Sequence, residues 1–344
     1  MPRLSDYPAR QRATSMPHQS PITSHPSPPL NLRSALREAI ARLEREHVPF
    51  AALAAELLLM HTLRQDRAWL YAHPEHELDA TAREKYFALV ARRASGVPTQ
   101  HLTGHQEFWG LDFDVTPDVL IPRPETEHVI EVSLERLGVS AANVDAAADS
   151  PRRHAEFRIA DVGTGSGCIA IALAHELPAA HIVATDISPA ALEIARRNAA
   201  RHNVAKRINF IECNLLEALL RESQIMNHPS SHNAGLRASQ SRSFDLIASN
   251  PPYIARSEAA TLAREVREHE PESALYGGET GTELYAPLVA QAAKLLKPGG
   301  ILVLELGHNS ASHISRLLDT PEWTDVALTK DLAGIARVAS ARRL

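Results

Sequence analysis

The spacing of apolar residues separates a first stretch without periodicity from a following stretch with helical periodicity. Residues 1–30 contain seven prolines among Ser, Thr, Gln and Arg and almost no periodic apolar positions, which predicts a disordered tail. From Leu32 onward apolar residues recur at helical spacing, and stretches rich in Ala and Leu follow at 50–63 and 82–94. These patterns predict amphipathic helices that form a small helical domain over residues 31–96.

A hairpin is predicted in the segment that follows the helical domain. Phe108, Leu111, Phe113 and Val115 lie among glycines and aspartates, as apolar residues of short paired strands do. We expect residues 97–130 to form a linker that contains this hairpin and joins the two domains.

Beyond residue 130 short apolar runs alternate with helical segments, which predicts an α/β domain over residues 131–344. Strands and helices in alternation form a parallel sheet that is covered on both faces. The predicted strands are 157–162, 181–187, 209–213, 244–249 and 301–306, with two closing strands at 325–329 and 337–341. Two polar stretches without periodicity, about 140–156 and 222–242, are predicted to be surface loops.

Composition and charge exclude several classes of protein. A formal net charge of -5 and a pI near 6.4 give no overall field that would attract nucleic acid or anionic lipid. The two cysteines, Cys168 and Cys213, lack the spacing of metal ligands, and no apolar run reaches the ~18 residues that span a bilayer. We therefore expect a cytoplasmic monomer that binds no metal, no membrane and no nucleic acid directly.

The first candidate for chemistry is a glycine loop, residues 163–167, between a predicted strand and a predicted helix. Such loops bring backbone amides close to a nucleotide-type cofactor. Cys168 stands where the dinucleotide fingerprint needs its last glycine, which disfavours a pyrophosphate ligand. Asp161, at the strand end, favours a cationic ligand with an amino group and a sulfonium, such as S-adenosylmethionine. The loop residues predicted to bind this cofactor are Gly163, Thr164, Gly165, Ser166 and Gly167.

A second acidic residue strengthens the cofactor prediction. Asp186 ends the next predicted strand, where a carboxylate accepts hydrogen bonds from both ribose hydroxyls of a nucleoside. Taken separately, the glycines could form an ordinary tight turn and Asp186 could cap the helix that starts near Pro189. Their joint occurrence at this spacing favours a cofactor site.

The second candidate is the NPPY tetrapeptide, residues 250–253, directly after an apolar strand. Ligands of open α/β sheets bind outside the carboxyl ends of the strands, so the tetrapeptide should face the cofactor. Asn250 and the carbonyl of Pro251 can accept hydrogen bonds from both hydrogens of an NH2 group, while Pro252 fixes the backbone. Tyr253 can pack against a planar amide or base. Alternatively, Asn-Pro-Pro is a simple turn that ends the strand.

This arrangement predicts methylation of a planar nitrogen by orientation, without a residue that removes a proton beforehand. The lone pair of an amide nitrogen is delocalised, so acceptors that stabilise the growing positive charge matter most in the transition state. By analogy with oxyanion-hole deletions, the loss of one such contact costs about 3 kcal/mol. Asn250, Pro251 and Tyr253 are therefore the predicted catalytic residues, and residues 250–253 together are the predicted substrate site.

The ordered series of motifs resembles the peptide chain release factor glutamine methyltransferases, the PrmC or HemK family. The motifs are HLTGHQEFWGLDFDV, VLIPRPETE, DVGTGSG, SNPPYI, HEPESAL, KPGGILVLELG and DLAGIARV. The resemblance covers nearly everything from about Leu32 to the end of the chain. It implies an N-terminal helical domain that engages the release factor, and a Rossmann-like class I S-adenosylmethionine methyltransferase domain with a seven-stranded mixed sheet.

The same resemblance assigns roles to individual residues. It implies that the enzyme methylates the side-chain amide of the glutamine in the Gly-Gly-Gln motif of a release factor. Asn250 then contacts the cofactor as well as the substrate. Asn214 and Leu215 stand where family members often carry an acidic and an aromatic residue near the adenine, so Leu215 joins the predicted cofactor residues. Glu305, in the strand LVLEL, is left without a role.

Other functions stay open at this point. A glutamine methyltransferase of a ribosomal protein would share every site residue. A DNA or RNA base N-methyltransferase would present the same planar nitrogen, but the negative charge and the absence of a following target-recognition domain weigh against it. A translation-binding protein without catalysis is the third alternative, and the intact glycine loop and NPPY tetrapeptide argue against it.

Overall fold

The structure is a computed structural model that describes residues 30–139, 151–226 and 244–344. The predicted tail, apart from Leu30, and most of both predicted loops lie outside these residues. The second loop prediction was wrong at its start, because 222–226 complete a helix, whereas 151–156 are a 3-10 turn and irregular backbone with exposed residues, as predicted for the first loop. Within the described ranges, no helix is both long and apolar enough to cross a membrane.

Residues 30–104 contain five helices and one small strand pair. The elements are β1 (Leu30–Asn31), α1 (Leu32–Arg45), α2 (Ala51–Leu63), α3 (Arg67–Ala72), β2 (Glu77–Leu78), α4 (Ala80–Ala94) and α5 (Thr99–Thr103). Side chains of Asn31, Asp66 and Asp79 accept hydrogen bonds from backbone amides at the starts of α1, α3 and α4, which stabilises these helix ends. Leu43, Leu58 and other apolar residues form one buried core between the helices. The three long helices were predicted, whereas α3 and α5 were not.

The predicted hairpin consists of β3 (His105–Phe108) and β4 (Leu111–Asp114), which are antiparallel. Its aromatic residues Phe108 and Phe113 are buried in the core of the following α/β part. The remainder of the predicted linker includes a 3-10 turn (Pro124–Thr126) and the first residues of α6 (Glu127–Leu137). The part of the linker that follows α5 is therefore packed onto the α/β part, whereas Leu102 of α5 lies in the core of the helical part.

The α/β part is built on a seven-stranded sheet, which confirms the predicted fold class. Its strands are β5 (Arg158–Val162), β6 (His181–Asp186), β7 (Ile208–Glu212), β8 (Phe244–Ser249), β9 (Leu296–Glu305), β10 (Trp323–Lys330) and β11 (Ala336–Arg343). Their order across the sheet is β7-β6-β5-β8-β9-β11-β10, with β11 antiparallel to both of its neighbours. The sheet is therefore mixed.

Helices cover both faces of this sheet. They are α6, α7 (Cys168–Glu176), α8 (Pro189–Arg201), α9 (Glu217–Met226), α10 (Arg264–His269), α11 (Glu272–Leu275), α12 (Tyr285–Leu295) and α13 (Ala311–Leu318). Neighbouring residues of β5 point to opposite faces, so Ile159 lies in one buried core and Ala160 in the other. Strand addition reverses between β5 and β8, and such a switch point opens a crevice at the carboxyl ends of the two strands.

Candidate active site

A main cavity lies at the carboxyl ends of β5, β6 and β8 and contains about 980 Å³ of space free of protein atoms. Of the predicted site residues, it is lined by Gly163, Gly165, Asp186, Leu215, Asn250 and Pro252. A smaller side cavity adjoins it, shares Gly163, Gly165 and Asn250, and is also lined by Thr164 and Ser166. Gly167, Pro251 and Tyr253 line neither cavity. Thus the two motifs predicted to carry the chemistry meet at one site.

All three glycines of the glycine loop have backbone conformations that favour glycine. Gly163, Gly165 and Gly167 have φ values of 71, 53 and 85°, which side chains rarely permit. The amides of Gly163 and Thr164 both donate to the carbonyl of Thr185, at 2.8 and 2.9 Å. The resulting turn joins the ends of β5 and β6 and leaves its outer surface free of bulky side chains.

Asp161 supports the glycine loop from beneath and does not line either cavity. Its Oδ2 accepts hydrogen bonds from the Thr164 hydroxyl at 2.6 Å and from the amide of Ala170 at 3.1 Å. Burial raises the pKa of Asp161 to about 7, against the opposing effect of these donors. Its Oδ1 has no partner among the described residues, so negative charge beneath the loop is left partly uncompensated.

Asp186 faces the main cavity and is held there by backbone donors. Its Oδ2 accepts from the amide of Gly165 at 2.8 Å, and its Oδ1 accepts from the amide of Ser188 at 2.9 Å. Burial raises the pKa of Asp186, although the backbone donors oppose the shift. The Ser188 hydroxyl accepts from Ala191 and is the N-cap of α8, so Asp186 is not needed as the helix cap. A carboxylate accepts about four hydrogen bonds, so Asp186 retains capacity for a further donor.

The segment after β7 forms another wall of the main cavity. Leu215 lines the cavity with a φ of 50°, and its carbonyl accepts from the Thr185 hydroxyl at 2.8 Å. Exposed Asn214 also lines the cavity and donates to Glu217 at 3.0 Å. The half-buried thiol of Cys213 lies beside them, and burial raises its pKa. This wall therefore offers an apolar side chain, an amide and a thiol.

The amide of Asn250 has a defined orientation. Its Nδ2 donates to the hydroxyl of Thr126 at 3.0 Å, which leaves Oδ1 available as an acceptor. The backbone carbonyl of Pro251 accepts no hydrogen bond within the described part of the chain. Both acceptors of the NPPY tetrapeptide therefore lack partners among the described residues, and of the two residues only Asn250 lines a cavity.

A second glycine-containing segment packs against the backbone of the tetrapeptide. A Cβ atom on Gly277 would lie 2.3 Å from the Pro252 oxygen, and one on Gly281 would lie 2.4 Å from the Tyr253 oxygen. Gly281 also has a φ of 79°. The sequence prediction missed both glycines, since nothing in their local pattern indicates close approach to a distant segment.

Two buried residues behind the tetrapeptide were also missed. The Tyr253 hydroxyl donates to Oε1 of Glu305 at 3.2 Å, and burial raises the pKa of Tyr253. Thr126 and Glu305 are 2% and 1% exposed. Burial raises the pKa of Glu305 to about 7, whereas interaction with the hydroxyls of Thr126 and Tyr253 lowers it. A carboxyl group within the otherwise apolar run LVLEL was the available sequence signal for Glu305.

Other ionic contacts hold the surroundings of the site in place. Arg123 donates to Oε1 of Glu270 at 2.5 Å, and the amide of Ile121 donates to Oε2 of the same carboxylate at 3.3 Å. Arg93 on α4 lies 2.5 Å from Glu265 on α10, which connects the N-terminal helices to the α/β part. No cluster of His, Cys, Asp and Glu suited to a metal ion occurs in the described ranges.

Comparison with known proteins agrees with this architecture. Residues 34–104 match the PrmC N-terminal domain, and residues 153–333 match a methyltransferase domain. The release factor glutamine methyltransferase of Koribacter versatilis is 40% identical over 91% of this chain and 99% of its own length. The enzyme of the same name from Nitratidesulfovibrio vulgaris is 40% identical over 93% of this chain and 97% of its own length.

Among solved structures, the ribosomal protein L11 methylase of Lactobacillus delbrueckii subsp. bulgaricus is 22% identical. It matches 64% of this chain and 81% of its own with a TM-score of 0.39. The relationship rests on the sequence matches, which cover both parts of the chain at substantial identity. The chain belongs to the release factor glutamine methyltransferase family.

Proposed function

We propose that the protein transfers a methyl group from S-adenosylmethionine to the side-chain amide nitrogen of a release factor glutamine, the one in the Gly-Gly-Gln motif. The observation that carries this proposal is the fixed amide of Asn250, whose Nδ2 is engaged by Thr126 while its Oδ1 is free. This acceptor lies beside the cavity that the glycine loop and Asp186 also line. Both curated relatives bear the name of this activity.

The main cavity fits S-adenosylmethionine, which supplies an electrophilic methyl group on its sulfonium. The cavity is open to solvent, and its wall combines apolar side chains such as Val119 and Leu215 with the polar groups of Asp186 and Asn250, as small-molecule sites do. The free lone pairs of Asp186 suit the ribose hydroxyls, and the Leu215 side chain offers an apolar wall to the adenine. Asp161 lies beneath the loop and lines neither cavity, but a cationic ligand would stabilise its ionised form, whereas a phosphate would not.

The tetrapeptide would hold the substrate amide by its two hydrogens. Oδ1 of Asn250 and the carbonyl of Pro251 accept one hydrogen each, and the ring of Tyr253 packs against the amide plane. These two hydrogen bonds would orient the nitrogen toward the methyl donor. They would also stabilise the positive charge that develops on the nitrogen during transfer. The carbon–sulfur bond would break as the carbon–nitrogen bond forms, with S-adenosylhomocysteine as the leaving group, and the nitrogen would release its proton to water afterwards, so no general base is required. Pro252 shapes the cavity wall.

The partner proposed is a peptide chain release factor rather than a nucleic acid. The net charge of -5 provides no attraction to a phosphate backbone. The helical part, which matches the PrmC N-terminal domain, would dock the release factor while the Gly-Gly-Gln loop reaches the cavity. We further propose that the protein acts as a monomer in the cytoplasm.

Methyl transfer from labelled S-adenosylmethionine tests this function. The acceptors are a purified release factor, the same factor with its Gly-Gly-Gln glutamine changed to alanine, ribosomal protein, and duplex DNA. Wild type is compared with Asn250→Ala and with Asn209→Ala, a matched change at an exposed position of β7. We expect label only in the intact release factor, with the rate about a hundredfold lower in Asn250→Ala and retained in Asn209→Ala. Label in ribosomal protein or DNA instead would overturn the substrate assignment.

A further inference from the structure

The proposed function gives Thr126 and Glu305 no part in the choice between glutamine and other acceptor side chains. They come from different elements, the turn before α6 and the end of β9, yet both contact the NPPY tetrapeptide. Thr126 accepts from Nδ2 of Asn250 at 3.0 Å, and Glu305 accepts from the Tyr253 hydroxyl at 3.2 Å. Glu305 does not line either cavity, so it acts on the substrate only through other residues.

The contact with Thr126 decides which end of the Asn250 amide faces the substrate. A carboxamide has an acceptor oxygen at one end and a donor NH2 at the other, and its two flipped orientations have nearly the same shape. Only the orientation with Oδ1 free can bind the NH2 group of a glutamine. The reversed orientation would present a donor and would suit a carboxylate instead.

Thr126 can accept a hydrogen bond from Asn250 because a second group nearby can accept the hydrogen of the Thr126 hydroxyl. A hydroxyl that accepts from Asn250 must direct its hydrogen elsewhere, and in a buried site that hydrogen needs an acceptor. Oε2 of Glu305 is buried and has no hydrogen-bond partner among the described residues, and the Thr126 hydroxyl lies close enough to this carboxyl group to lower its pKa. One buried carboxyl group therefore interacts with the partners of both ends of the tetrapeptide.

We propose that Thr126 and Glu305 are positioning residues that fix the Asn250 amide with its oxygen toward the substrate, and so select glutamine over glutamate. The same carboxyl group binds the Tyr253 hydroxyl, so it also fixes the position of the Tyr253 ring relative to the Asn250 amide. This inference rests on the proposed function, since it takes the glutamine amide as the substrate group.

The main variant is Thr126→Val, which keeps the shape of the side chain and removes the acceptor. We expect kcat for release factor methylation to fall about tenfold, the effect of one lost hydrogen bond, with Thr126→Ser recovering most of it. Ser133→Ala removes another buried hydroxyl, on α6 and away from the site, and should retain the wild-type rate. Equal rates for Thr126→Val and wild type would overturn the proposal.

A double variant separates positioning from a general structural effect. If Thr126 acts through Asn250, Thr126→Val should cost no further activity in an Asn250→Ala background. A full additional loss there would contradict the proposal. Should Thr126→Val fail to fold, Glu305→Gln replaces it, because a glutamine that accepts from Tyr253 presents its NH2 to Thr126 and removes the acceptor for the hydroxyl proton. The expected loss is again about tenfold.

Two readouts do not depend on turnover. The affinity of release factor peptides is measured with glutamine or glutamate at the methylated position, and Thr126→Val should reduce the preference for glutamine. The side-chain amide signal of Asn250 in 15N-labelled protein, assigned by its loss in Asn250→Ala, should shift in Thr126→Val. An unchanged preference and an unchanged signal would overturn the inference, whereas absent methylation by wild type would overturn the proposed function alone.

Discussion

At the scale of single residues, two glycines of the same loop illustrate two different requirements. Both Gly163 and Gly167 have positive φ. A Cβ atom on Gly167 would lie 2.9 Å from Cδ1 of Ile171 and 3.2 Å from the Cβ of Ala195, whereas one on Gly163 would meet no protein atom within 4 Å. Gly167 is thus required for helix packing, and Gly163 keeps the cavity open.

The two glycines should respond differently to alanine. Gly163→Ala should lower the free energy of unfolding only by the left-handed strain, about 1–2 kcal/mol. Gly167→Ala adds overpacking against α7 and α8, for a total of about 2–5 kcal/mol. Urea denaturation measures both values, and S-adenosylhomocysteine affinity should fall mainly in Gly163→Ala. Equal stability losses would contradict this assignment.

Glu305 should make the stability depend on pH. Burial raises its pKa from 4.5 to about 7, so between these pH values the folded state holds a proton that the unfolded state has lost. The unfolding free energy therefore falls as pH rises through this window, by up to about 1.4 kcal/mol per pH unit. Buried Asp161, with its pKa raised to about 7, contributes with the same sign.

Glu305→Gln removes this contribution and should make the pH dependence of unfolding less steep between pH 4.5 and 7, leaving the part that Asp161 contributes. Denaturant titrations at several pH values measure it, with Glu135→Gln, at an exposed position of α6, as the control. A slope that stays as steep in Glu305→Gln as in wild type would exclude Glu305 as its source.

Sequence patterns located the site residues that lie in motifs. They missed the residues that reach the site from distant positions in the chain. The glycine loop, Asp186 and the NPPY tetrapeptide have fixed spacings that reflect their chemistry. Thr126 and Glu305 are separated from the tetrapeptide by more than a hundred and by about fifty positions. Their contact depends on the strand order, which no local pattern contains.

At the scale of elements, Asn198 of α8 joins the hairpin to the glycine loop. It is fully buried. Its Oδ1 accepts from the amide of Asp114 at 2.8 Å, while its Nδ2 donates to the carbonyls of Asp114 at 3.0 Å and Ser166 at 2.9 Å. One side chain therefore satisfies backbone groups of two elements that are far apart in sequence.

Replacing Asn198 with leucine should destabilise the protein by about 3 kcal/mol, since it leaves buried backbone groups without partners. Cofactor affinity should also fall, because the Ser166 carbonyl loses its support. Arg201→Met is the control, since its ion pairs with the same hairpin are exposed and contribute about 1 kcal/mol or less. Equal losses in the two variants, measured by thermal or urea unfolding, would refute the role of Asn198.

Long periodic elements were predictable, and short ones were not. Periodicity over 10 or more residues located α1, α2, α4 and α8, and apolar runs located all seven strands of the main sheet to within a few residues. The short helices α3, α5, α10 and α11 span only four to six residues, too few to establish a period. The mixed direction of the sheet came from family resemblance, since periodicity does not reveal strand order.

At the scale of the whole molecule, the ion pair between Arg93 and Glu265 connects the helical part to the α/β part. Arg93 is 4% exposed, and it also donates to the carbonyl of Val97 at 3.2 Å. The nearby Gly96 would place a Cβ atom 3.2 Å from the Arg264 side chain. These contacts fix where the helical part stands relative to the cavity.

Arg93→Met should therefore disturb substrate docking more than chemistry. We expect KM for a full-length release factor to rise up to about tenfold, equivalent to about 1.4 kcal/mol, with little change for a short Gly-Gly-Gln peptide. Arg92→Met, at the exposed neighbouring position, is the control. Steady-state kinetics that give equal losses for factor and peptide would place the effect in the active site instead.

The two cysteines make cofactor occupancy measurable without labels or engineering. Cys168 is buried beneath the glycine loop, whereas Cys213 is half-buried and lines the main cavity. A bound nucleoside should shield Cys213 from alkylation, and mass spectrometry can follow the protection as ligand is added. Because burial raises the pKa of this thiol, labelling should be slow at neutral pH and faster in alkaline buffer. The native chain thus carries its own footprinting reporter at the wall of the cavity.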